Sequence, residues 1–85
     1  MMKDFVVLEG SQALEGNASI GLYKVGEDDG GWANFAVGLP GARYSYRLSI
    51  NEQIDVPGLG SLTLVAVHLG ETKGKRGALF SLTTI

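Results

Sequence analysis

The sequence predicts an all-β protein: a small antiparallel β-sandwich or partly open β-barrel of six to seven short strands, in one domain over residues 1–85. Three observations lead there. Residues 43–50 alternate without a break, with Tyr44, Tyr46, Leu48 and Ile50 on one side and Arg43, Ser45, Arg47 and Ser49 on the other. Successive side chains of a strand point to opposite faces, so this is a half-buried strand. Glycine-rich turn signals recur roughly every 8–12 residues, as they do in sandwiches and barrels. No stretch holds apolar residues at helical spacing over three turns.

In chain order, Phe5–Leu8 is a short strand candidate that ends at Glu9-Gly10-Ser11. Gln12–Asn17 holds Ala13, Leu14 and Glu15 and suggests one helical turn, too short to stand as a helix. Ala18–Val25 reads as a strand with Ile20 and Leu22 on one face and Tyr23 and Val25 on the other; Gly21 inside it suggests a bulge or a close backbone approach. GEDDGG, Gly26 to Gly31, is the strongest loop signal. Trp32–Val37 is the next strand, with Ala33, Phe35 and Val37 inward, and Gly38-Leu39-Pro40-Gly41 turns into the alternating strand.

Ile54-Asp55-Val56 is a short extended piece closed by Pro57-Gly58-Leu59-Gly60, where proline fixes φ and glycine accepts a positive one. Ser61–Leu69 is apolar on both sides: Leu62, Leu64 and Ala66 on one, Val65, Val67 and Leu69 on the other. Such a strand is expected to be covered on both faces, by a second layer or by a partner chain. Gly70–Gly77 is a polar loop, and Ala78–Ile85 is the last strand, expected to be tied into the sheet. No internal repeat is visible in the sequence.

Composition narrows the function classes. With no cysteine there is no disulfide framework and no thiolate metal site, which fits a reducing compartment. The first ten residues carry too short an apolar run for a signal-peptide core, and no run is long enough to span a membrane, so a cytoplasmic location is expected. A net charge of −2 argues against general nucleic-acid binding. Charged residues make up 19%, below the usual value of about 25%, and mean hydropathy is positive. Low charge on so small a domain suggests that part of its surface is covered, which points to a homo-oligomer or an obligate protein partner.

The residues able to carry chemistry are few. His68 is the only histidine and lacks a nucleophile or carboxylate in any recognisable pattern. Glu27, Asp28 and Asp29 offer hard oxygen ligands, but without the spacing of a calcium loop, so an acidic hairpin tip is expected rather than a metal site. Lys73, Lys75 and Arg76 lie among glycines whose N–H groups suit an anion. Arg43 and Arg47 share one face ~13–14 Å apart at about 3.4 Å per residue. Tyr44 and Tyr46 alternate with them and should face the other way. Trp32, at the start of a strand beside a glycine loop, is either an interface anchor or a core residue with a partnered indole.

Nothing here calls for a cofactor, a metal ion or catalysis. The expected function is that of a small non-enzymatic binding or accessory module acting through a protein–protein surface, of the inhibitor, immunity, anti-defence or phage accessory type. The alternative is a module that binds a small anionic ligand such as a nucleotide through Arg43, Arg47 and the Lys73–Arg76 loop, with Trp32 beside it.

Overall fold

The structure, a computed structural model, describes residues 2–70 and 76–84. Its strands are β1 (Met2–Leu8), β2 (Gln12–Glu15), β3 (Ala18–Gly26), β4 (Trp32–Leu39), β5 (Ala42–Ser49), β6 (Gln53–Val56), β7 (Gly60–His68) and β8 (Gly77–Thr84). They form two four-stranded sheets, β1-β8-β7-β6 and β2-β3-β4-β5, in which every neighbouring pair is antiparallel. The all-β expectation holds, and of the two architectures it allowed the protein is the sandwich. Among the described residues no helix is long and apolar enough to cross a membrane.

Eight strands replace the expected six to seven, because Gln12–Glu15 is a strand and not a helical turn. Glu15 pairs with Ala18 across a two-residue loop whose first residue, Gly16, has φ +61°. Glycine at that position is what a tight hairpin turn asks for, and four residues cannot nucleate a helix alone. Glu15 is buried and its carboxylate accepts a hydrogen bond from Lys3 Nζ at 3.0 Å, which ties β1 to β2 across the two sheets. The Pro57-Gly58 turn is as expected: Gly58 has φ +81° and Leu59 N–H donates to the Val56 carbonyl at 3.0 Å.

The two-faced apolar strand has a different explanation from the one the sequence suggests. In β7, Leu64 pairs with Phe80 and Ala66 with Leu79, so Val65 is an extra residue in the ladder. A bulge of this kind shifts the phase of the alternation. Leu62 and Leu64 point into the core before it and Val67 packs against the core after it, while Val65 is 37% exposed. The bulge thus brings Val67 into the core in a second phase and leaves Val65 and Ala66 on the outer face of the sheet.

β3 behaves in the same way. Leu22 pairs with Phe35 and Lys24 with Asn34, which leaves Tyr23 as the extra residue. The bulge is at Tyr23 and not at Gly21. Val25 consequently joins Ile20 and Leu22 in the core, and Tyr23 turns out to solvent.

These bulges belong to a duplication that the sequence reading did not see. The half β2-β3-β4-β5 is matched by β6-β7-β8-β1, with β1 taking the fourth place from the other end of the chain. Leu22–Phe35, Val25–Ala33 and Ile20–Val37 in one sheet answer to Leu64–Phe80, Val67–Ala78 and Leu62–Leu82 in the other. The turns also match: Gly10 N–H donates to Leu22 and Asn51 N–H to Leu64, at 2.8 and 2.7 Å, with φ of +81° and +73°. Phe35 and Phe80 meet edge-on at the centre with centroids 4.9 Å apart. Each meets its edge-strand partner on the outside, Phe80 stacked on Phe5 at 5.7 Å and Phe35 tilted against Tyr46 at 5.8 Å.

Two outcomes test this account. Leu64→Asp should prevent folding, since a lone charge would sit at a position with 0% exposure. Val65→Asp, one residue on, should fold and cost no more than about 1 kcal/mol by chemical denaturation. If both variants unfold the protein, the bulge is misplaced. Burial, with neighbouring Tyr44 adding, holds the Tyr46 phenol above its ordinary 10.0. A raised folded value favours the protonated form, so this stabilisation is whole below pH 10 and fades as pH climbs through the raised value. Ultraviolet titration should show one of the three tyrosines ionising late, and Tyr46→Phe should remove that step.

Candidate functional site

The outer face of the β2-β3-β4-β5 sheet collects three of the six candidate binding residues, Trp32, Arg43 and Arg47. Alternation fixes it: with Ala33, Phe35, Val37 and Leu48 buried, their neighbours Trp32, Asn34, Ala36, Gly38, Arg43, Ser45 and Arg47 face away from the core. Tyr44 and Tyr46 pack on the core side, as the alternation requires.

At one end of this face lies Trp32. Its Nε1–H donates to Asp28 Oδ1 at 2.8 Å, and the Arg47 guanidinium carbon stands 4.4 Å from the ring centroid. Its register partner is Gly26, where a Cβ would come within 2.4 Å of the ring. The missing side chain lets the indole lie on the strand. Asp28 reaches it from a short 3₁₀ turn, Asp28–Gly30, in which Asp29 has φ +55°. Trp32 is thus a half-buried surface residue with a satisfied N–H. The acidic tip has a structural use as well, and among the described residues no group of three or more carboxylates or histidines is placed to hold a metal ion.

Farther along the face, Arg43 Nη2 donates to the hydroxyl of Tyr23. Arg43 stands opposite Gly38 on β4, and Tyr23 projects from the β3 bulge, so the pair spans β4. Between and beside them is a trough of about 490 Å³ lined by Ser11, Gln12, Ser19, Gly21, Ala36 and Gly38. The row Lys24–Asn34–Arg47 runs across three strands next to it. Lys24 was missed by sequence reasoning, because the bulge turns it outward and Val25 inward, while Tyr23 faces away from Ile20 and Leu22 as simple alternation predicts. The glycine in that strand was the one available signal, and it points two residues too early.

Of the cations of the basic loop, Arg76 alone is among the described residues. Lys73 and Lys75 lie outside the described residues. Arg76 leads into β8 of the other sheet, and its carbonyl accepts from Glu9 N–H at 2.6 Å. His68 is exposed at the end of β7, across from Gly77.

The β1-β8-β7-β6 sheet presents a contrasting outer face. At positions equivalent to Arg47–Asn34–Lys24 it carries Val6–Leu79–Ala66, flanked by Leu8 and the bulged Val65. Val6 is 62% and Leu8 47% exposed. Its strand-borne charges are the carboxylates of Asp4 and Asp55, one and two rows away, and Asp55 accepts from Ser61 Oγ at 2.7 Å.

Removing the guanidinium tests the Trp32 cluster. Arg47→Ala should cost about 0.5–1 kcal/mol, the range of an exposed cation–π contact, and should shift the tryptophan emission. An unchanged emission and melt would show that the guanidinium does not rest on the ring in solution.

No protein-family model, curated protein or solved structure matches this chain.

Proposed function

We propose that this protein is a non-enzymatic binding module that acts through protein–protein contact, and that its first partner is a second copy of itself, seated on the outer face of the β1-β8-β7-β6 sheet. The observation that carries this is the difference between equivalent rows of one duplicated fold. The second sheet forms with Arg47, Asn34 and Lys24 at these positions, so the fold has no need of Val6, Leu79 and Ala66 there. Exposed apolar side chains that folding does not require are what an interface requires.

A second copy suits the face in size and charge. The molecule measures 35 × 21 × 20 Å between Cα extremes, so a broad side is about 35 by 20 Å. That is on the scale of the ~800 Å² each partner contributes to a standard interface. The face has no lysine or arginine in strand positions, and its carboxylates lie off the apolar row. A two-fold axis through the row sets valine and leucine against their own copies and leaves the acids at the rim. Inhibitors, immunity or anti-defence factors and phage accessory proteins are the kinds of molecule this describes.

Sedimentation equilibrium from about 10 µM to about 1 mM, beside melting curves over the same range, tests the proposal. A dimer whose melting temperature climbs with concentration is expected. The double variant Val6→Lys, Leu79→Asn, which copies the polar character of the other sheet, should stay folded and sediment as a monomer. A native protein that remains at 9.0 kDa throughout, or a double variant that dimerises as the native chain does, would overturn it.

A further inference from the structure

We infer that the trough on the opposite outer face, that of the β2-β3-β4-β5 sheet, is a binding site for a small organic anion: a phosphate or carboxylate carried on a planar ring. This goes beyond the self-association above and uses none of its residues.

The floor is the first reason. Ser19, Gly21, Ala36 and Gly38 meet across β3 and β4 in two successive rows, Ser19–Gly38 and Gly21–Ala36. None has a side chain longer than a hydroxymethyl group, so the middle of the face is low while Gln12, Tyr23 and Arg43 stand around it. The resulting volume, about 490 Å³, is within the range of roughly 300–1,000 Å³ typical of small-molecule sites. At Gly38 the sheet is already tight, since a Cβ there would stand 2.9 Å from Ser19 Oγ.

The second reason is how Arg43 is held. Its Nη2 donates to the Tyr23 hydroxyl, which fixes a long side chain that would otherwise be free in solvent. A guanidinium has five N–H donors in a planar fork, so this bond leaves others to offer. The Tyr23 hydroxyl accepts from Arg43 and keeps its own proton to donate. Two donors of this kind, side by side over a low floor, match two oxygens of one phosphate or carboxylate. The exposed phenol ring of Tyr23 gives a planar body something to stack on.

Charge is the third reason. The chain has a net charge of −2, yet the charged residues facing out from the strands of this sheet are Lys24, Arg43 and Arg47, all cations. The other sheet's outer face has Asp4 and Asp55 in strand positions. Lys3 of β1 is paired with Glu15, so the cations that face outward from the strands are gathered on this one face, which draws anions to it.

Amide chemical-shift perturbation with adenosine monophosphate and with 4-hydroxybenzoate tests this, with inorganic phosphate and adenosine as the separated parts. Saturable shifts centred on Gly21, Ala36 and Gly38 are expected from at least one of the two complete probes. The tighter of the two identifies the anion as phosphate or carboxylate, and each part alone should bind at least tenfold more weakly. Arg43→Gln should weaken binding at least tenfold. Ala36→Leu, which fills the floor and keeps every charge, should do the same. Both positions face away from the core, and the variants' melting curves will show that they remain folded. The inference is overturned if neither complete probe saturates below about 10 mM, or if binding survives both substitutions.

Discussion

The edge-on contact of Phe35 with Phe80 is the constraint on which the rest of this structure depends. Each ring comes from an inner strand of its own sheet, each has no exposure, and together they set how the two sheets face one another. Aromatic pairs at this separation prefer an inclined geometry, because the ring edge is positive and the face negative. The meetings of Phe5 with Phe80 and of Tyr46 with Phe35 extend the contact to both edge strands. A small domain buries a modest share of its surface, so one continuous aromatic column is an economical core.

Around that contact the chain is arranged twice. Each half contributes a short edge strand, a bulged inner strand, a second inner strand with the phenylalanine, and an outer strand. The bulges have a definite use: they let the inner strand place Leu22 or Leu64 against the phenylalanine and still turn Val25 or Val67 inward beyond it. Without the extra residue, strict alternation would send those valines to solvent. The halves differ at their margins. Where the halves meet at β1 and β2 the Lys3–Glu15 ion pair closes the junction, and the equivalent positions at β5 and β6 hold Tyr44 and Val56.

A duplicated fold also serves as its own control. Inward-facing positions of the two halves hold similar residues, because both must fill the same space. Outward-facing positions are free to diverge, and they have: one face is cationic with a small-residue trough, the other has an apolar row with carboxylates at its margin. Neither pattern is demanded by the sandwich, which forms equally well with either. The divergence is therefore free to follow what each face meets in solution.

The sequence by itself determined the fold class, most of the strands, the inward positions of β4 and β5, and the turns at Pro57-Gly58 and Pro40-Gly41. These follow from local rules, the period of two along a strand and the φ preferences of proline and glycine. It also put Arg43 and Arg47 on one face, clear of Tyr44 and Tyr46. Only the tertiary structure decided the phase of β3 and β7, since a bulge is set by the register of two strands and not by either alone. The same cause hid the outward Lys24 and the inward Val25, and gave Ser61–Leu69 apolar residues in both phases. The duplication was hidden because the equivalent hairpin loops differ in length, by one residue in the first pair and by three in the second, and the fourth strand of one half comes from the start of the chain. Pairing across a sheet joins residues that are distant in sequence, and that is why the trough, the Tyr23–Arg43 bond and the Val6–Leu79–Ala66 row exist only in the folded molecule.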